Sequence, residues 1–288
     1  MQHLKKTMKK TITLILLIFI SYPYVNAQCG IGYDYDNKNI TDLEKRNLNG
    51  KVKSVTYSHY DIVDHFGEIS KGSKNCEQEI FFNRDSTVSK IIESDFQFPR
   101  KDVDIHEYEK GEIKLISHYN KDGILSAKTA YITEGNDIRE QRYLSDGELN
   151  DQFFLRSYDL NGNMVKEIWK YHNDPLYTRE KLYYYDKNNR IIEIRDNYSL
   201  IKATYGDDFA KHPVKIENVD SETDKTTRIK GFEFDSNGNT VKKYFNGKLS
   251  RSYEYEYDEF GNWTKKIEFK TEGKIPEEII ERIINYYE

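Results

Sequence analysis

Carboxylates, amides and histidines are the side chains here that could bind a metal or transfer a proton, and their spacing decides which chemistry is open to them. Asp159, Asn161 and Asn163 resemble the start of a calcium loop. An EF-hand loop needs Gly at its sixth position and a bidentate Glu at its twelfth. Here Gly162 is fourth and Lys170 is twelfth. The pattern therefore favours a turn over a calcium site.

The histidines and the other carboxylates give no stronger signal. None of six histidines stands at ligand spacing from a Cys or a Glu, so we predict no zinc site; they are His59, His65, His106, His118, His172 and His212. No phosphate loop, dinucleotide fingerprint or Gly-X-Ser-X-Gly motif is present, and we predict no cofactor. No carboxylate pair is singled out as an acid and a base. We therefore expect a protein that is not an enzyme, with a carbohydrate-active enzyme as the alternative.

Hairpins must position these polar residues, and the stretch from Tyr253 to Phe269 is the clearest one. Tyr and Glu alternate before the turn, as in a half-buried strand. Asp258 and Gly261 are the first and fourth residues of a type I turn, where the carboxylate bonds the backbone two residues on and Gly accepts a positive φ. We expect the tyrosine face to continue through Trp263, Ile267 and Phe269. We expect the polar face to continue through Thr264, Lys266 and Glu268.

The same turn recurs along the chain. Its first and fourth residues are Asp159 and Gly162, Asp186 and Asn189, Asp235 and Gly238, and Asp258 and Gly261, with weaker copies from residue 83 onward. Segments rich in Tyr, Ile and Val separate the turns. The sequence thus predicts an all-β fold, a repetitive antiparallel β-hairpin meander forming one large curved sheet or partial shell of about twelve to sixteen strands.

Less repetitive segments flank this meander. Thr41 to Glu44 has capping-box spacing and predicts a short helical turn, and residues 51–60 alternate as a first strand. We expect a long loop from Asp61 to Asn75. The apolar pairs of residues 279–287 suit either a helix or a closing strand, and we favour the strand because a hairpin loop precedes it.

Three copies of the turn resemble a known repeat. Residues 158–163, 234–239 and 257–262 each place an aromatic-Asp pair before Gly-Asn, which is similar to the YD repeat of Rhs-type proteins. The likeness covers residues 150 to 270. It implies long curved antiparallel sheets that act as shells or surface scaffolds, some linked to carbohydrate binding or to toxin delivery. A weaker likeness is to the short hairpin repeats of MORN and antitoxin-like proteins.

The first 27 residues predict export. Four lysines precede an apolar run that ends near Ala27, as in a secretory signal peptide. Residues 28–75 then form an irregular lead-in with the first strand, and residues 76–288 form the repeat domain. We expect a location in the periplasm, on the cell surface or outside a Gram-negative cell, without a transmembrane anchor after cleavage. Lipidation at Cys29 is the alternative, although Gln28 precedes this cysteine.

The net charge bears on the class of binding partner, and the two cysteines bear on disulfide formation. Loss of the four leader lysines takes the formal net charge from −5 to −9, which disfavours nucleic acid. An oxidising compartment would allow a disulfide between Cys29 and Cys76.

The middle hairpins suggest a binding surface. Counting alternate positions places Trp169, Tyr171 and Tyr184 on one apolar face. That face is either packed core or an exposed platform for a glycan or a protein strand. We therefore predict a non-catalytic binding or scaffold protein of the cell envelope that uses its sheet face and strand edges. A partner or neutraliser of a secreted effector is a further alternative.

Overall fold

A computed structural model of the chain describes residues 40–97, 100–174, 178–207, 210–270 and 275–288. The predicted leader and Cys29 lie outside these residues. Export, lipidation and the Cys29–Cys76 disulfide therefore stay predictions.

The described residues form one short helix and eighteen strands. The helix α1 spans Asp42–Lys45. The first nine strands are β1 Val52–His65, β2 Glu68–Phe82, β3 Val88–Asp95, β4 Arg100–Glu109, β5 Glu112–Tyr119, β6 Leu125–Glu134, β7 Asp137–Leu144, β8 Leu149–Tyr158 and β9 Met164–Tyr171. The other nine are β10 Thr178–Tyr185, β11 Ile191–Asp196, β12 Ser199–Thr204, β13 Lys215–Asp220, β14 Thr226–Phe234, β15 Thr240–Phe245, β16 Lys248–Tyr257, β17 Trp263–Lys270 and β18 Ile275–Tyr286.

Each strand pairs antiparallel with its neighbours in sequence, and β18 also pairs with β1. The predicted all-β hairpin meander is confirmed. The sheet is, however, closed rather than a partial shell, and it has more strands than we expected. Closure leaves no free strand edge in the described sheet, so a binding mode that uses strand edges is wrong for this fold.

Cation–aromatic packing reinforces the seam where the sheet closes. Arg282 on β18 lies opposite Tyr57 on β1. Its guanidinium carbon is 4.6 Å from the centre of the Tyr57 ring and 3.4 Å from that of Trp263. All three side chains are buried. Stacking lets a buried cation interact favourably with ring faces, which stabilises the seam.

The segments that flank the meander agree with the sequence-based predictions at the helix and the last strand, but not at the predicted loop. The capping box at Thr41 is present, and the chain ends in the strand that we favoured. The predicted loop from Asp61 to Asn75 is wrong. There β1 and β2 continue as a hairpin that turns at Phe66 and Gly67, whose φ values are 54° and 93°. Two successive positive φ values match the twist of a two-residue hairpin turn, so pairing persists with little burial.

Seven of the described loops of the sheet share one backbone geometry. In the loop that starts at Asp258, the N–H groups of Phe260 and Asn262 donate to Asp258 Oδ1 at 3.0 and 2.9 Å. Gly261 N–H donates to Asp258 O at 3.1 Å, and Gly261 has a φ of 78°. The same backbone bonds close the loops that start at Asn83, Asn120, Leu144, Asp159, Asp186 and Asp235. Their fourth residues all have positive φ: Ser86, Gly123, Gly147, Gly162, Asn189 and Gly238.

A one-residue bulge follows six of these seven loops and reverses the order of the two faces, whereas after the loop at Leu144 the register shifts by two residues. Tyr257 lies opposite Trp263, but Glu256 lies opposite Lys265, so one extra residue stands between them. Lys266 therefore lies opposite Tyr255, on the tyrosine face. Our assignment of the polar and apolar faces after Trp263 is wrong, because simple alternation skips the bulge. Ile267, Phe269 and Glu268 are misassigned in the same way.

The segment around α1 caps one end of the closed sheet. In an up-and-down sheet the loops after even-numbered strands lie at one end, and we call this the capped end. Asp42 Oδ2 accepts the N–H of Val88 at 2.7 Å and the hydroxyl of Tyr108 at 3.1 Å. Asn49 N–H donates to Asn262 Oδ1 at 2.7 Å, and Asn262 Nδ2 donates to Asn49 O at 2.9 Å. The cap thus joins loops that are far apart in sequence.

Tyrosine hydroxyls connect successive loops at the capped end. Tyr286 donates to Asp258 Oδ2 at 2.5 Å, and Tyr257 donates to Asp235 Oδ2. The first oxygen of each carboxylate serves its own loop, and the second serves the next hairpin. Burial, and then the bond to the carboxylate, raises the pKa of each of these tyrosines to about 12, so both stay protonated donors.

Replacing Gly261 with Val should destabilise the protein by about 1 to 2 kcal/mol, because a β-branched residue resists positive φ. The position has room for a Cβ, whose nearest neighbour would be Asn237 Oδ1 at 3.6 Å, so the cost comes from the backbone. Urea unfolding would measure it. The matched control is Asn189→Gly at the same loop position, which should be neutral or stabilising. Equal unfolding midpoints for Gly261→Val and the wild type would contradict this account.

Candidate functional site on the inner face

One face of the sheet carries most of the large buried side chains, and we call it the inner face. It includes Tyr57, Tyr183 and Trp263. Strand pairing extends the same face around the ring, with Lys266 opposite Ile280, for example. Near the capped end this face is largely apolar and packed. Further from the cap it becomes polar and charged.

The three residues predicted to form a ligand platform do not share a face. Trp169 lies on the inner face, opposite Arg179. Tyr171 follows it on the same face by alternation. Tyr184 lies opposite Glu193 on the other face and is 41% exposed. The prediction of one shared face is wrong, because the register of β9 on β10 puts Arg179 opposite Trp169, so Tyr183 rather than Tyr184 shares the face of Trp169.

The indole of Trp169 is held in an ion-pair network. Its Nε1 donates to Glu167 at 2.8 Å, and Glu167 also accepts from Arg156 Nε at 3.1 Å. The charged ends of Arg179 and Lys181 lie 5.2 and 5.3 Å from the centre of its ring. These cations occupy positions where a sugar would stack. We conclude that Trp169 stabilises the inner face and offers no open platform.

A second carboxylate completes this network. Glu140 Oε2 accepts from Arg156 Nη1 at 2.5 Å, so one guanidinium bridges Glu140 and Glu167. Burial acts to lower the pKa of Arg156, but the two nearby carboxylates together outweigh it and raise that pKa. Because Arg156 engages both carboxylates, this pair does not offer the free acid and base that glycoside hydrolysis requires.

Three other inner-face residues have the geometry of a nucleophilic triad. His118 Nδ1 lies 2.7 Å from Asp104 Oδ1, and His118 Nε2 lies 3.0 Å from Thr129 Oγ1. Acyl transfer also needs N–H donors aimed at the developing oxyanion. Strands β4, β5 and β6 pair with neighbours on both sides here, which engages their backbone N–H groups. The trio is thus best described as a cross-strand polar contact.

His106 is a half-buried base close to the cap, and both of its ring nitrogens are buried. No described group bonds either of its ring nitrogens. Burial lowers its pKa from 6.5 to about 4, although the carboxylates of Asp104 and Asp42 act in the opposite direction. Arg46 and His118 add smaller lowering effects. His106 is therefore neutral at pH 7.

A basic patch lies on the inner face of β14 and β15, toward the end opposite the cap. Lys230 is opposite Phe245, and Lys243 is opposite Phe232. Arg228 lies two residues before Lys230, and its guanidinium carbon is 5.6 Å from the centre of the Phe245 ring. The inner-face positions of these two strands carry no carboxylate. We call Arg228, Lys230, Lys243 and Phe245 the basic patch.

Lys230 has no counter-charge within the described residues. Its side chain makes no hydrogen bond or ion pair there. Burial, followed by repulsion from Lys243 and Arg228, lowers its pKa. Solvent nevertheless reaches the patch, because Phe245 is 44% exposed and Arg228 is also exposed.

Strands β3 and β4 carry the opposite charge on the same face. Carboxylates there include Glu93, Asp95 and Asp102. Cys76 lies opposite Asp95, and burial, with further contributions from Glu278, Asp95 and Glu93, raises the pKa of its thiol to about 11. At neutral pH the thiol is protonated and therefore a weak nucleophile. The described residues bring together no group of three His, Cys, Asp or Glu side chains suited to a metal.

Sequence reasoning missed the basic patch. Its only signal was that Lys230 precedes, and Lys243 and Phe245 follow, the predicted turn from Asp235 to Gly238. Assigning them to one face required the bulge after Phe234, where Glu233 pairs with Lys242 but Phe234 pairs with Thr240.

Comparisons with known proteins give structural likenesses only. No family model matches the sequence, and no curated protein matches it. A porin-like protein from Bacteroides uniformis is 8% identical with a TM-score of 0.46, covering 82% of this chain and 99% of that one. A porin-like protein from Bacteroides vulgatus is 12% identical with a TM-score of 0.27 and the same coverage. A chain of the TcdB2-TccC3-Cdc42 structure is 9% identical with a TM-score of 0.29, covering 69% of this chain and 12% of that one.

Among the described residues, no helix combines the length and apolarity needed to cross a membrane.

Stability should fall as the pH drops from 6.5 toward 4, because the unfolded chain takes up a proton that folded His106 resists. His106→Gln should remove up to about 3 kcal/mol of this loss. Part of the pH dependence should persist, since burial and Lys211 also lower the pKa of His212. Urea unfolding across this range would measure it. His65→Gln, at the exposed end of β1, is the control, and identical pH profiles for both variants would contradict the assignment.

Trp169→Ala should destabilise the protein by about 3 kcal/mol, since it opens a cavity and removes the indole N–H that donates to Glu167. Tyr184→Ala should change stability by less than about 0.5 kcal/mol, because that ring is on the exposed face. Urea denaturation of the two single variants separates these cases. Equal losses would mean that the register of β9 and β10 is misassigned.

Proposed function

We propose that this chain is a non-catalytic exported binding protein of the bacterial cell envelope. Its ligand rests on the inner face at the basic patch. The leader-like first 27 residues support export, and the aromatic-Asp and Gly-Asn loops support a relation to YD-repeat proteins.

The single observation that supports binding at this place is the exposure of Phe245 on the inner face. The aromatic rings that face inward near the cap, such as Tyr183, Tyr253 and Trp263, are at most 7% exposed, whereas Phe245 is 44% exposed. An aromatic ring that solvent can reach, within a concave polar surface, is a common feature of ligand sites. The closed sheet holds this ring between paired strands on both sides, so the surface is ordered before a ligand arrives.

A role without catalysis agrees with the contacts of the reactive side chains, because these groups are engaged by other residues of the sheet. Arg156 engages the Glu140 and Glu167 carboxylates, and the Asp104, His118 and Thr129 trio lies within a fully paired part of the sheet. Each of these groups has a structural partner. Binding requires none of them to be free.

Phe245→Ala should weaken capture of the ligand by roughly tenfold and leave the unfolding midpoint nearly unchanged, because the ring contributes mainly to contact with the ligand. A glycan array and a pull-down from envelope extracts would identify ligands and compare variants. The control is Tyr198→Ala, which removes an exposed ring from the loop between β11 and β12. Equal binding by the wild type and Phe245→Ala to every hit would overturn the proposed site.

A further inference from the structure

The basic patch contains a positive charge, that of Lys230, which no described residue neutralises. Several other cations on the inner face have counter-charges or ring partners: Arg251 contacts Glu268 and Glu277, Arg179 contacts Asp196, and Arg282 stacks on Tyr57 and Trp263. Lys230 has none among the described residues, and its charged neighbours are Lys243 and Arg228. Keeping a half-buried ammonium beside two other cations costs free energy. That cost is offset when an anion binds between them.

The surrounding side chains define the rest of the ligand. Phe245 lies directly across the ladder from Lys230, and it exposes ring surface. A sugar ring can stack its C–H face on an aromatic ring while an anionic substituent reaches the amines. The whole chain is acidic, with a formal net charge of −5, so a long polyanion would be repelled elsewhere. These features favour a short saccharide over an extended acidic polymer.

We infer that the ligand of the basic patch is an anionic saccharide, a sugar unit that carries a carboxylate or a phosphate group. Lys230 holds the anion, Lys243 and Arg228 add positive charge beside it, and Phe245 contacts the sugar ring. This inference rests on the proposed function and specifies the ligand class for the same site.

Calorimetric titration of the full chain tests the inference with three probes. Oligogalacturonate presents carboxylates, glucose 6-phosphate presents a phosphate, and maltohexaose is neutral. At least one anionic probe should bind roughly tenfold more tightly than maltohexaose, and its affinity should fall as salt is raised. Competition between the two anionic probes distinguishes a carboxylate ligand from a phosphate ligand.

Lys230→Met removes the charge and keeps an apolar stem. It should lower the affinity for the anionic probe by roughly tenfold or more. The unfolding midpoint should not fall, because the substitution relieves repulsion within the patch. The matched control is Lys242→Met, which removes a lysine charge from the position directly before Lys243. Lys242 points to the other face, where it pairs with Glu233 at 2.8 Å, and its loss should change affinity less than about twofold.

A second readout follows the amine directly. In protein carrying ¹³C-dimethyl lysines, the Lys230 signal, assigned by its absence in Lys230→Met, should titrate at a lower pH than the exposed lysines. It should move to a higher pH when oligogalacturonate or glucose 6-phosphate binds.

Three results would overturn the inference. One is equal affinity for maltohexaose and both anionic probes, which leaves the proposed binding function intact. Another is an equal loss of affinity in Lys230→Met and Lys242→Met. The third is the absence of binding to any probe, and if the glycan array and the extract pull-down are also empty, the proposed function falls with it.

Discussion

One carboxylate oxygen that accepts two N–H groups of its own loop is the contact on which the hairpins depend. Asp258 Oδ1 bonds the backbone of Phe260 and Asn262, and Asp159, Asp186 and Asp235 do the same in their loops. This geometry requires a left-handed fourth residue and places a bulge after the loop. The bulge, in turn, decides which side chains of the next strand face inward.

Closure of the sheet turns this local rule into a global constraint. When β18 pairs with β1, every strand has two neighbours, and a shift of register anywhere must be compensated around the ring. Arg282 between Tyr57 and Trp263 stabilises the seam, and the segment around α1 stabilises the capped end through Asn49 and Asp42. Ring stacking stabilises the buried cation at the seam, and hydrogen bonds hold the segment around α1, so a largely polar chain keeps an ordered interior.

The inner face therefore has two parts with different roles. Near the cap, aromatic rings and buried cations pack together and contribute stability. Farther away, carboxylates on β3 and β4 and cations on β14 and β15 leave the surface polar and reachable by solvent. Sheet positions that are too polar to form a core are suited to ligand contact, because the closed sheet already fixes their geometry. The proposed site lies in this second part.

The turns and strands were predictable from the sequence. The face on which each side chain lies and the closure of the sheet were not. Asp258 and Gly261 identify their turn because a carboxylate and a residue free to adopt positive φ are what that backbone needs, and alternation of Tyr and Glu identifies the strand before it. Alternation fails after Trp263 and misplaces Tyr184 relative to Trp169, because bulges and inter-strand register depend on pairing that no single strand encodes. The contact between Tyr57 and Arg282 joins residues more than two hundred positions apart, and the grouping of Lys230, Lys243 and Phe245 follows from strand register. Turn chemistry is local to a few residues and can be predicted from sequence, whereas closure and the charge pattern of the inner face arise only when distant strands pair.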